Sequence, residues 1–161
     1  MNISRPTTLI AYFSDSGNTA RLAHTLAEAA GGSLFEIEPQ ESYTAADLDW
    51  NDRASRSTRE MEDPTARPAI SDDVEDMKDY QTVFVGFPIW WYEAPRIIAT
   101  FLEQYDLAGK TVIPFATSGG SGMGQTAAKL RPSCPQATVL EGRVFSPHAS
   151  ARELDRWIES L

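Results

Sequence analysis

Thr8-Leu9-Ile10-Ala11-Tyr12-Phe13, followed at once by Ser14-Asp15-Ser16-Gly17-Asn18-Thr19, decides the fold class. The first six residues form a nearly continuous apolar run, the pattern of a short strand buried on both faces. The next six change character abruptly, with hydroxyls at 14, 16 and 19, a side-chain amide at 18 and glycine at 17. Leu22, Ala23, Leu26, Ala27 and Ala30 then recur at helical spacing until Gly31-Gly32 stops the helix. Strand, polar turn and helix make one βα unit, and a strand apolar throughout needs cover on both faces.

The unit recurs along the chain. Ser33 to Glu38 alternates like a half-covered edge strand, and Thr82 to Phe87 and Thr111 to Ala116 read as two more buried strands. Thr138 to Phe145 reads as the fifth. Between the second and third strands the signal is weak. A helix is expected within Ala45 to Met61, because Asp49/Arg53, Asp52/Arg56 and Arg56/Glu60 lie four apart, and Pro64 and Pro68 end it. Pro95 opens a helix with the stripe Ile97, Ile98, Phe101, Leu102 and Tyr105. A short helix ends near Arg131-Pro132. The last, behind the capping-box pair Ser150 and Glu153, carries Leu154, Trp157, Ile158 and Leu161.

Five strands alternating with helices predict one α/β domain over residues 1–161, a parallel five-stranded sheet of order 2-1-3-4-5 with helices on both faces. A closed eight-fold barrel would need roughly 250 residues. In open sheets of this kind ligands sit beyond the carboxyl ends of the strands, at the switch point between strands 1 and 3. The loops after strands 1, 3 and 4 are therefore the candidate site.

Composition narrows the function. The 161 residues carry a net charge of −9, which disfavours nucleic-acid and anionic-membrane partners. Glu36 to Asp79 holds 14 acids and 5 bases, and the rest of the chain nine of each. That segment is a solvated face or a docking surface for a basic partner. The single cysteine, Cys134, allows no internal disulfide and no multi-cysteine zinc site, and is read as structural or as an incidental surface residue. No metal site is expected. Residues 1–15 lack a secretory leader pattern and no apolar run approaches a membrane span, so a soluble cytoplasmic protein is expected.

Each loop suggests chemistry. The first, Ser14 to Thr19, is an anion pocket without lysine or arginine: glycine turns backbone N–H groups inward at a helix's positive end. Asp15 is expected to point away from the anion. The second, Pro88-Ile89-Trp90-Trp91-Tyr92-Glu93, sets three adjacent aromatics at the sheet edge, where a flat ligand would stack. The third, Thr117-Ser118-Gly119-Gly120-Ser121-Gly122-Met123-Gly124, leaves backbone amides bare for a planar edge.

Together the three motifs, in this order over nearly the whole chain, resemble the flavodoxin family. Ser14-Asp15-Ser16-Gly17-Asn18-Thr19 matches its phosphate loop, [ST]-x-[ST]-G-N-T, and the other two loops resemble those of a flavodoxin-like branch. The resemblance implies non-covalent FMN. Ser14, Ser16, Gly17, Asn18 and Thr19 would hold the phosphate. Pro88, Ile89, Trp90, Trp91 and Tyr92 would line the ring system and ribityl chain, with Trp90 the stacking residue. Thr117, Ser118, Gly119, Gly120, Ser121 and Gly122 would contact the pyrimidine edge through backbone atoms.

No catalytic residue is assigned. Phe87-Pro88 stands where a receiver domain needs aspartate, the first loop has no thiol, and no GxxxxGK[ST] segment exists. His24 and His148 lack a paired acid or cysteine and are read as solvent-facing or capping. The acidic segment favours an electron carrier of flavodoxin type, served by a basic redox partner docking near residues 36–79. Many electron-carrying flavodoxins have an aromatic in the third loop, and this chain has none. The open face that results keeps the alternative in play, an FMN-dependent NAD(P)H:quinone or related small-molecule oxidoreductase.

Overall fold

Every residue of strand β1 (Thr8–Tyr12) is buried, and its side chains alternate between the two faces of the sheet. Leu9 and Ala11 join one core, and Ile10 and Tyr12 the other. The computed structural model describes residues 7–161. After β1 come α1 (Asn18–Ala30), β2 (Ser33–Glu36), α2 (Arg56–Glu62), β3 (Thr82–Pro88), α3 (Arg96–Glu103), β4 (Thr111–Thr117), α4 (Thr126–Leu130), β5 (Thr138–Val139), β6 (Arg143–Val144) and α5 (Ala151–Ser160). All pairings in the sheet are parallel, in the order β2-β1-β3-β4-β5, with β6 also on β4. The expected 2-1-3-4-5 sheet is therefore present.

Helices α1 and α5 cover one face, where Leu22, Leu26, Leu154 and Trp157 pack on Ile10, Phe84, Ile113 and Phe115. Helices α3 and α4 cover the other, where Ile97, Ile98, Phe101 and Leu130 pack on Leu9, Val83, Val85 and Val112. Ser150 caps α5 as the sequence predicts, its Oγ accepting from the Glu153 amide at 3.1 Å. No described helix is long and apolar enough to cross a membrane.

Two expectations are corrected. The fifth strand is split. Thr111 pairs with Thr138 and Val112 with Val139, but Phe115 pairs with Arg143 and Ala116 with Val144. One extra residue is thus fitted opposite Ile113-Pro114. The Val112 and Ala116 carbonyls both accept bonds from this neighbouring strand, so residue 114 also turns its backbone that way. Proline has no N–H to give there, and the ladder breaks. Gly142, at φ 75°, passes so close that a Cβ would collide with the Pro114 carbonyl.

The helix expected within Ala45 to Met61 is confined to α2. The acids upstream capture backbone amides for themselves: Asp47 takes that of Thr44, Asp49 that of Asn51 and Asp52 that of Ala54. Such local bonds compete with the helix ladder. Of the three predicted i,i+4 ion pairs only Arg56–Glu60 forms, at 3.0 Å.

Gly109 and Gly142 share nearly the same φ, 77° and 75°, but nothing lies within 4 Å of a Cβ at Gly109. Gly109→Ala should cost about 1–2 kcal/mol for its left-handed conformation. Gly142→Ala should cost roughly 1–3 kcal/mol more, the scale of overpacking. Urea unfolding of both variants measures the difference, and equal losses would mean that the strand break yields without strain.

Candidate functional site

Two adjoining cavities open at the carboxyl edge of the sheet. The larger, about 530 Å³, lies between the loop after β3, the loop after β4, and the long β2–β3 excursion, residues 37–81. The smaller, about 270 Å³, lies against the first loop and is lined by Ser16, Asn18, Pro88, Thr117 and Pro147. Asp15, Ile89, Trp90, Ser118 and Gly119 border both.

Gly17 is the N-cap of α1 at φ 93°, and no side chain caps the helix. No acid lies in its first turn. The opening amides of a helix have no intrahelical acceptor, so this end is left to attract an anion. Ser14 Oγ accepts from the Gly17 amide at 3.1 Å and braces the turn. Thr19 is buried and shares a 2.9 Å hydrogen bond with the Thr117 hydroxyl, tying the first loop to the end of β4. Ser14, Gly17 and Thr19 therefore shape the pocket, while Ser16 and Asn18 line it.

Asp15 does not turn away as expected. It borders both cavities, and its carboxylate accepts the Trp90 indole N–H at 3.3 Å. Trp90, expected as the stacking residue, is only 9% exposed. Its ring meets Phe13 and Tyr43 edge-on, at centroid distances of 5.6 and 5.4 Å. The rings that stand in solvent are its neighbours, Trp91 at 40% and Tyr92 at 75% exposure. Trp90 and Glu93 exchange two backbone hydrogen bonds, 2.9 and 3.0 Å, leaving a two-residue turn. Trp91 and Tyr92 both have positive φ, 47° and 65°, as in the hairpin turns that ordinarily favour Asn-Gly. Backbone strain of this kind gathers at ligand sites.

The loop after β4 is less bare than expected. Ser118 Oγ accepts from the amides of Gly120 and Ser121, at 3.2 and 2.9 Å, and bonds the Ser121 hydroxyl at 2.8 Å. A serine turn closes the loop on itself and uses two of the amides meant for a ligand. Ser118, Gly119, Gly120 and Ser121 still line the larger cavity, and Gly122 lines neither.

The excursion supplies a wall that sequence reasoning missed: Leu48, Trp50 and Ser57. Trp50 is 70% exposed. Ser57 Oγ, in the first turn of α2, is buried without a hydrogen-bond partner among the described residues. Tyr43 and Arg96 both tie the excursion to the cleft. Tyr43 packs on Trp90 and donates to Glu60, and the Arg56 guanidinium lies 3.8 Å over its ring. Burial first, then the Glu60 carboxylate, push the Tyr43 hydroxyl far up, so it stays a donor at all working pH. Arg96, opening α3, donates to the Glu60 and Met61 carbonyls at 3.2 and 2.6 Å and to Glu93 at 3.0 Å. One guanidinium thus joins the end of α2 to the aromatic turn.

The chain matches the flavodoxin family model over residues 7–161. It belongs to the flavodoxin family. The chain is similar to a structure from Bacteroides eggerthii provisionally assigned as a flavoprotein, at 48% identity over 96% of each chain with a TM-score of 0.91. It is similar to another with the same provisional assignment from Bacteroides uniformis, at 49% identity over 95% of this chain and 97% of that one, TM-score 0.90. A Lactobacillus acidophilus flavoprotein solved in complex with FMN shares the fold at 23% identity, covering 94% and 98%, TM-score 0.74. Comparison with curated proteins finds no match.

The acids of the 36–79 segment do not line the cleft. The Val74 amide donates to the Tyr105 hydroxyl at 2.9 Å, and the turn at Met77–Asp79 leads directly into β3. Ser71 bonds the Glu38 carbonyl just past β2, so Asp72, Asp73, Glu75 and Asp76 run from the carboxyl end of β2 toward the amino end of β3, and none of them lines either cavity. Asp49 and Asp52 are exposed and flank Trp50, which lines the larger cavity, in sequence. Cys134 is buried, not on the surface, and burial raises its thiol. His24 bonds the Ala20 carbonyl within its own helix, at 2.7 Å.

Replacing Trp91-Tyr92 with Asn-Gly should stabilise the ligand-free protein by about 1–3 kcal/mol, since the turn's left-handed backbone is then met without strain. A lower melting temperature would mean the two rings hold the fold. Arg96→Lys should cost roughly 1–3 kcal/mol, because an ammonium cannot span the three acceptors. Urea unfolding checks the cost, and a neutral result would dismiss the clamp.

Proposed function

We propose that this protein is an FMN-dependent redox protein whose exposed flavin face serves a planar small molecule. The single observation that carries the reading is the strained Trp91-Tyr92 turn, which holds two rings in solvent at the larger cavity, adjoining the smaller one at the uncapped start of α1. Neither ring is buried in the ligand-free fold, so packing does not repay that strain. A ligand with a phosphate at one end and a flat ring at the other does. FMN has that form, and it is the group in the Lactobacillus acidophilus complex.

The donor set fits the group. Ser16, Asn18 and the first amides of α1 would hold the phosphate by neutral donors and the helix's positive end. Trp91 and Tyr92, rather than the enclosed Trp90, would supply the free aromatic faces. Ser118 to Ser121 would edge the ring. When bound, FMN supplies one- and two-electron transfer. The chain's part is to bind it, orient it, and leave one side open, since the glycine loop brings no ring over it.

The open side favours the oxidoreductase over the electron carrier. Electrostatic steering acts within about 8–10 Å at ordinary salt, and none of Asp72, Asp73, Glu75 and Asp76 lines either cavity. The carrier reading rests on Asp49 and Asp52 beside Trp50, which could meet a basic redox protein at the mouth.

Apoprotein titrated with FMN and with riboflavin should prefer FMN by about 100-fold or more, the scale of a few charge-assisted hydrogen bonds. Equal affinities would remove the phosphate assignment. Turnover of a soluble quinone with NAD(P)H should vary little with salt. It should also be unchanged in the quadruple variant Asp72→Asn, Asp73→Asn, Glu75→Gln, Asp76→Asn. No quinone turnover, together with reduction by a basic reductase that slows steeply with salt and in Asp49→Asn/Asp52→Asn, would restore the carrier.

A further inference from the structure

The three loops account for the cofactor, but the larger cavity has a fourth wall. Trp50 and Ser57 stand on the excursion, a different part of the chain from every residue assigned to FMN. We infer that this wall is the binding site of the redox acceptor, a planar aromatic carbonyl compound of the quinone class. Trp50 stacks on its ring and the Ser57 hydroxyl donates to its carbonyl. The inference rests on the small-molecule reading above.

Two independent features point there. A tryptophan 70% exposed on a soluble domain costs hydration unless a partner covers it. Trp50 makes none of the ring contacts that hold Phe13, Tyr43 and Trp90 together. Its face is open to a flat molecule, and stacking adds to the area it would bury. Ser57 is 1% exposed, and its Oγ has no hydrogen-bond partner. A buried hydroxyl without a partner is a standing cost, relieved when an acceptor arrives.

The arrangement also explains the clamp at Arg96. Stacking needs the wall at a fixed spacing from the aromatic turn, and Arg96 bonds both the end of α2 and Glu93. The glycine loop across the cleft leaves the space uncrowded. A carbonyl on the acceptor makes Ser57 selective, because a ring lacking it would leave the hydroxyl unpaired.

Menadione binding to the oxidised, FMN-loaded protein, measured by calorimetry without reductant, tests the site. Trp50→Ala should weaken menadione by about 10-fold or more, and Trp50→Phe by no more than about 3-fold. Ser57→Ala should weaken menadione by about 5-fold and leave 2-methylnaphthalene, the ring without carbonyls, unchanged. Its melting temperature without ligand should match or exceed the parent's, because the substitution removes an unpaired hydroxyl. FMN affinity should stay within about 3-fold in all three variants. Unchanged menadione binding in Trp50→Ala or Ser57→Ala overturns the inference while sparing the small-molecule reading. So does FMN affinity that falls in step with menadione, which would assign the wall to the cofactor. Failure of the parent protein to bind menadione overturns both.

Discussion

Strands β1, β3 and β4 are buried on both faces, and that constraint governs the rest of the molecule. A strand enclosed between two helical layers holds mostly apolar side chains and hydroxyls, so it offers no charged group for chemistry. Polar function is displaced to the segments where the backbone leaves the sheet. In a parallel sheet the carboxyl ends all leave on one side. The cleft is a consequence of burial before it is a consequence of any particular loop.

What the loops do with that position depends on a few ties between segments far apart in sequence. The Thr19–Thr117 hydroxyl pair fixes the first loop to the end of β4. The Asp15–Trp90 bond fixes the first loop to the second. Tyr43 and Arg96 bring the excursion against both Trp90 and Glu93. The cleft therefore behaves as a connected frame with its exposed rings, Trp50, Trp91 and Tyr92, mounted on the outside.

The sheet was legible because its apolar runs have one reading. The three loops were legible because Gly17 and the aromatic triplet fall at strand ends. Other features carried two readings at once. Asp49 and Asp52 fit an i,i+4 helix and equally fit side chains that capture amides, and the second prevails. Trp90, Trp91 and Tyr92 look alike in a one-dimensional pattern. Only the reversal of φ after Trp90 divides the enclosed ring from the exposed ones, and Trp-Tyr is not a turn dipeptide that announces it. Proline within a predicted central strand and glycine within its neighbour did signal a break, but the two lie 28 residues apart and only pairing brings them together. Ser57 gives no sequence signal at all, since its distinction is a missing partner.

The break at Pro114 divides the last strand position into two pieces with different dependencies. The amino piece, β5, is backed by the loop from α4. The carboxyl piece, β6, is held to β4 by two residue pairs and the Phe145–Ala116 bond, and runs straight into Pro147 at the smaller cavity. Such a segment opens at a lower free energy than the strands inside it. Its amide protection therefore reports on cavity occupancy: an anion seated beside Pro147 would slow exchange from residue 143 onward and leave Thr138 and Val139 as they were.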